Sequence, residues 1–247
     1  MSSDPRPALE RRLAAAVDGL EAAFGPRRDR IEPAHACSHC FSAVDLNVLA
    51  GPVGEIPDRL FGAALWRWGT TMDANVRLWR RLTPRILREM AEQRLHIDET
   101  LIARKFGDAG WHEWPQDERN AVSEFCEAWF AASITAPEGP SAVAVLPFAA
   151  VMYRAATHWL ERWAETPGPR ADQQLARLAE WWLPELLNGS LDFSFSGELP
   201  DVAAELSTWL ITQAPIRLAE GDLKPIDAYR LSQLPLPEDQ RWGSVPH

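Results

Sequence analysis

A chain of 247 residues with 46% hydrophobic and 24% charged residues is long enough to bury a sizeable core and sits among ordinary globular proteins. Its net charge of −10 is uneven, with 16 Lys/Arg against 15 Asp/Glu in residues 1–110 and 9 against 20 in residues 111–247, a balance that disfavours general nucleic-acid binding. The N-terminus has no apolar signal core, no stretch approaches the roughly 18 apolar residues of a membrane span, and three cysteines do not make a secreted disulfide framework, so a soluble, cytoplasmic protein is expected.

Apolar residues recur at helical spacing along the whole chain, without the alternation that marks strands. The first predicted helix covers 7–24, with Leu9, Leu13, Val17, Leu20 and Phe24 on one stripe and Gly25-Pro26 as its stop. A polar connection over 25–41 carries the sequence HACSHC. Ser42 with Asp45 has the form of a capping box and opens a short helix that Gly51-Pro52 closes.

Residues 75–93 are the clearest amphipath. Trp79, Leu82, Ile86 and Met90 share one side, whereas Arg77, Arg81, Arg85 and Arg88 share the other. Thr83-Pro84 predicts a kink there, or two shorter helices. Further helices are predicted over 98–106, from Trp114-Pro115 to about Ala132, and over 141–165, 171–188, 200–213 and 226–233. These elements form a single all-α domain over 1–231, followed by a Pro-rich tail over 232–247.

Leu82-Thr83-Pro84-Arg85-Ile86-Leu87 and Trp182-Leu183-Pro184-Glu185-Leu186-Leu187 share a proline in the same apolar frame, and Pro147 sits in a third such frame. Proline-bearing helices in antiparallel pairs resemble a short HEAT-like α-solenoid. The spacing is irregular, so a multi-helix bundle is the equal expectation.

Twelve tryptophans are the compositional signature, and i, i+4 partners such as Phe125/Trp129 and Trp159/Trp163 mark them as core. Trp181 and Trp182 stand about 100° apart on a helix, so one of them faces outward. Trp66, Trp68, Trp111 and Trp114 fall near predicted helix ends. An exposed indole is a frequent interface anchor, and Trp111, Trp114 and Trp181 are the partner-binding candidates, together with the arginine stripe Arg77, Arg81, Arg85 and Arg88, which can clamp carboxylates or phosphates.

His35, Cys37, His39 and Cys40 form the densest ligand cluster. Two thiolates and an imidazole suit zinc, with His96, His112 or His158 as distant additions, although no second C-x-x-C follows. A thiol redox pair belongs at a helix start after a strand, and an all-helical chain is not expected to supply that setting. Cys126 lies on an apolar stripe and reads as core. The pairs Glu124/Glu127, Glu161/Glu165 and Asp201/Glu205 read as wet helix faces. Phosphate-loop, dinucleotide, zincin, serine-hydrolase and EF-hand motifs are absent from the sequence.

No catalytic residue is assigned. The leading expectation is a protein-binding domain whose acidic second half meets a basic protein partner, as an immunity or antitoxin protein does. The alternatives are an enzyme or small-ligand binder with a Trp-lined pocket between helices, and a zinc-stabilised scaffold. Abundant Ala and near-exclusive use of Arg over Lys suggest a GC-rich bacterial genome.

Overall fold

The computed structural model describes residues 6–26, 28–189, 191, 200–219, 221–237 and 240–241, with the side chains of 6–10 and 200 outside that description. The fold is all-α, a multi-helix arrangement of eleven α-helices among the described residues. No β-strand forms among them; two isolated bridges join Met72 to Ala36 and to Trp68. The contacts divide the chain into two compact units, Met1–Trp129 and Phe130–His247. No helix among the described residues is long and apolar enough to cross a membrane.

The first unit opens with α1 (Arg6–Phe24), which packs on α4 (Val76–Ala91). Leu20 and Phe24 are fully buried, while Leu13 and Val17 are half-buried; the side chain of Leu9 lies outside the described residues. The capping box is present: Ser42 Oγ accepts from Asp45 N at 3.1 Å and Asp45 Oδ2 accepts from Ser42 N at 2.9 Å. These reciprocal bonds start α2 (Ala43–Leu49); the Ser42 hydroxyl, donating to Asp45 Oδ2 at 2.6 Å, and then the Ser42 N–H hold the Asp45 carboxyl below its usual pKa.

Helix α3 (Asp58–Arg67) was not among the predicted elements. It starts after Pro57, has Asp58 in its first turn, and buries Phe61, Ala64 and Leu65, with Trp68 just beyond its end, at the i, i+3, i+4, i+7 spacing of a helix face. Helix α4 is one continuous helix with Pro84 inside it, and Thr83 Oγ1 donates back to Trp79 O at 3.0 Å. Helix α5 (Glu99–Asp108) is capped by Asp98, whose carboxylate accepts from the backbone of Thr100 at 2.8 Å.

The core of this unit is a run of touching rings. Trp68 meets Trp79 at 4.9 Å between centroids, Trp79 meets Phe106 edge-on at 5.6 Å, and Phe106 and Phe24 each meet Trp114 at 5.9 Å. Lys105 is buried beneath it. Its Nζ donates to Trp68 O at 2.5 Å and Trp66 O at 3.1 Å, tying down the end of α3, and burial lowers its pKa to about 8.

Helix α6 (Gln116–Thr135) starts after Trp114-Pro115 as the sequence predicts and contains the division between the units. In the second unit, the helix predicted over 141–165 is two: α7 (Ala142–Tyr153), with Pro147 inside it, and α8 (Thr157–Ala164). The break comes at Arg154, which adopts the left-handed conformation (φ 55°), and not at the proline. Glu205 Oε2 then caps the new start, accepting from Ala156 N at 2.6 Å and Thr157 N at 2.7 Å.

Helix α9 (Pro169–Leu187) packs against α7, α10 (Pro200–Arg217) and α11 (Pro225–Gln233). One helix with three neighbours is bundle packing rather than serial stacking of antiparallel pairs. Phe130 meets Trp159 at 5.3 Å, and Trp163 meets Trp209 at 5.1 Å. Beyond α11, Leu234 is buried and Arg241 donates to Leu187 O at 3.2 Å, so the described part of the predicted tail is tied to α9. Trp242 lies outside the described residues.

Candidate functional site

Of the arginine stripe, only Arg77 is a plainly exposed side chain. Arg81 is 5% exposed and turned inward, donating to the carbonyls of Asp29 and, at 2.8 Å, of Gly51. Its guanidinium joins two loop backbones, and this corrects its expected place on the wet face. Arg85 is also committed internally: it donates to Glu89 at 2.7 Å, Asp58 at 2.6 Å and Ile56 O at 2.6 Å, and lies 4.2 Å over the Phe61 ring. It fastens α4 to α3 and to the turn before it. Arg88 pairs with Glu21 at 3.0 Å, with both side chains partly in solvent.

Trp111 and Trp114 are 3% and 5% exposed, and Trp114 Nε1 donates to Ala109 O at 3.0 Å, so neither is a surface anchor. The local turn around Gly110, at φ 62°, folds both indoles inward despite their position between helices. Trp181 is 66% exposed while Trp182 is buried, as their angular separation requires.

A cleft of about 930 Å³ lies in the first unit between α3, α4 and the 92–97 loop. Its apolar lining comes from Ile56, Phe61, Leu95 and Ile97, together with Trp66, which is 50% exposed. Four arginines line it (Arg59, Arg85, Arg88 and Arg94) against two carboxylates, Asp58 and Glu89, and both acids are engaged by Arg85. The cleft is therefore cationic by excess. Arg94 pairs with Glu92 and Arg88 with Glu21, both exposed ion pairs that contribute at most about 1 kcal/mol. Gln93, left-handed at φ 54°, turns the chain after α4 so that Arg94 N donates to Glu89 O at 2.8 Å, which sets Arg94 and His96 on the rim.

A second concavity of about 550 Å³ shares Gly54, Arg85 and Arg88 with the first and adds Arg28 and Arg81. In the second unit a more apolar groove of about 470 Å³ runs between α8 and α10, lined by Leu160, Trp209 and three threonines.

Of these cleft residues Trp66, Arg85, Arg88 and His96 carry expectations from the sequence, His96 as a distant zinc ligand, whereas Arg59 and Arg94 carry none. The missed signal was α3 itself: once Phe61, Ala64, Leu65 and Trp68 are taken as one face, Arg59, Gly62 and Trp66 fall on another.

The Cys/His loop is held between α2 and the segment after α3. Cys37 N donates to Thr71 O and Asp73 N to His35 O, both at 2.8 Å, across the Ala36–Met72 bridge. Cys40 N returns to Cys37 O at 2.9 Å, closing a turn. Cys37 is exposed, Cys40 half-buried and Cys126 buried, all as free thiols. Hydrogen bonding from Thr71 and Arg67, the Arg67 charge, and a lesser contact with Cys37 hold the Cys40 thiol below its usual pKa. His35 and His39 are exposed, and among the described residues no group of three or more His, Cys, Asp or Glu side chains converges as a metal site. The two sulfurs come together; the imidazoles do not join them.

Comparison with protein families, with characterised proteins and with solved structures finds no match.

Proposed function

We propose that this protein binds a small anionic ligand, one carrying a carboxylate or phosphate on an apolar ring or chain, in the cleft between α3, α4 and the 92–97 loop. The carrying observation is the cleft's composition: the apolar side chains of Ile56, Phe61, Leu95 and Ile97 beside a half-exposed indole, with Arg59, Arg85, Arg88 and Arg94 against the lining carboxylates Asp58 and Glu89, both of which pair with Arg85. A volume of about 930 Å³ suits a small molecule. Guanidinium groups supply paired donors to planar anions, and the half-exposed Trp66 adds apolar indole surface.

Thermal stability measured against phenyl phosphate, phenylacetate, inorganic phosphate and benzyl alcohol tests this reading. The two ring-bearing anions should raise Tm, inorganic phosphate less, and benzyl alcohol not at all. Equal responses to benzyl alcohol and phenylacetate, or none to any probe, would refute it. The expected basic protein partner of the second half retains a single proposed anchor, Trp181, which is exposed beside Glu180.

A further inference from the structure

The Cys37-Ser38-His39-Cys40 turn lies outside the lining of the cleft. Its ends are fixed independently: Cys37 is bonded to Thr71 O across the bridge, and Ser42, two residues past Cys40, is locked by the capping box of α2. The Cys40 N to Cys37 O hydrogen bond makes residues 37–40 a β-turn. Turns of this kind hold their first and last Cα atoms within about 7 Å, and a disulfide spans Cα separations of roughly 4.4–6.8 Å, so the pair can close without unfolding its surroundings.

We propose that Cys37 and Cys40 are a redox-active dithiol that a low-molecular-weight disulfide oxidises to an intramolecular disulfide. The sulfur of Cys40, contacted by the Arg67 guanidinium and the Thr71 hydroxyl, attacks one sulfur of the reagent RS–SR. The RS–SR bond breaks, a Cys40–SR mixed disulfide forms, and RS⁻ leaves. Cys37 then loses its proton and attacks the Cys40 sulfur, forming the Cys37–Cys40 bond and expelling the second RS⁻. The protein gives up two electrons and two protons, and the reagent becomes two RSH.

Glutathione disulfide, with intact-mass and peptide mass spectrometry of the full-length protein, tests the proposal. The wild type should lose two hydrogen atoms in mass without retaining an adduct, with the new bond mapped between Cys37 and Cys40 and buried Cys126 unmodified. Cys37→Ser should accumulate one glutathione on Cys40. Circular dichroism confirms that each variant is folded. A wild type that keeps glutathione on either cysteine, or stays unoxidised when Cys37→Ser is fully adducted, would overturn the proposal, as would purification with one zinc per chain and thiols shielded from the reagent.

Discussion

Arg81 and Arg77 lie four residues apart on α4 and differ in almost everything that matters energetically. The Arg81 guanidinium sits among the Asp29 and Gly51 carbonyls, so deleting it strands the buried Gly51 acceptor at about 1–3 kcal/mol and also removes the part-buried bond to Asp29. Arg81→Ala should lower unfolding free energy by at least about 2 kcal/mol in urea, whereas Arg77→Ala should stay within about 0.5 kcal/mol. Equal effects would mean that Arg81 is a surface residue after all. Glu99 makes a pH-dependent counterpart. Burial, with the neighbouring Asp98 charge adding to it, raises its pKa above 4.5. The folded state then holds the proton more tightly than the unfolded one, so this group's contribution to stability is complete below pH 4.5 and is lost as pH rises through the raised value. Glu99→Gln should accordingly gain on the wild type between about pH 4 and pH 7 in parallel denaturant titrations; a constant difference across that range would contradict the assignment.

At the scale of elements, legibility tracked how local the deciding interaction is. The capping box of α2, the amphipathic α4 and the Trp181/Trp182 split follow from neighbours within one or two turns, and all were readable. The break between α7 and α8 was not, because its cap, Glu205, comes from α10 and its left-handed residue is an arginine where glycine usually signals the stop. The inward turn of Trp111 and Trp114 likewise depends on Ala109 and on rings from α1 and α5. Helix α3 was missed although its face is regular, since Gly51-Pro52 and Pro57 punctuate the stretch heavily. A side chain in the left-handed conformation costs roughly 1–2 kcal/mol, part of which glycine returns through unfolded-state entropy. Arg154→Gly should thus raise unfolding free energy by about 0.5–1 kcal/mol in a thermal or urea melt; destabilisation would show that the break is not set by Arg154.

For the molecule as a whole, charge is spread unevenly along the chain. The near-neutral first stretch of sequence contributes a cleft in which cations outnumber free carboxylates, while the excess of acids lies after residue 110. Net charge points toward a basic partner, whereas the proposed ligand of the α3–α4 cleft is an anion; local geometry, absent from any sum over residues, makes the difference. Calorimetric titration of phenyl phosphate into the wild type and into the Arg59→Glu/Arg94→Glu double variant, at about 0.1 M and about 0.5 M NaCl, is the most direct test. Saturable 1:1 binding that weakens with salt and is lost in the folded double variant is the expected result. Binding indifferent to both salt and charge reversal would contradict the cleft's proposed role.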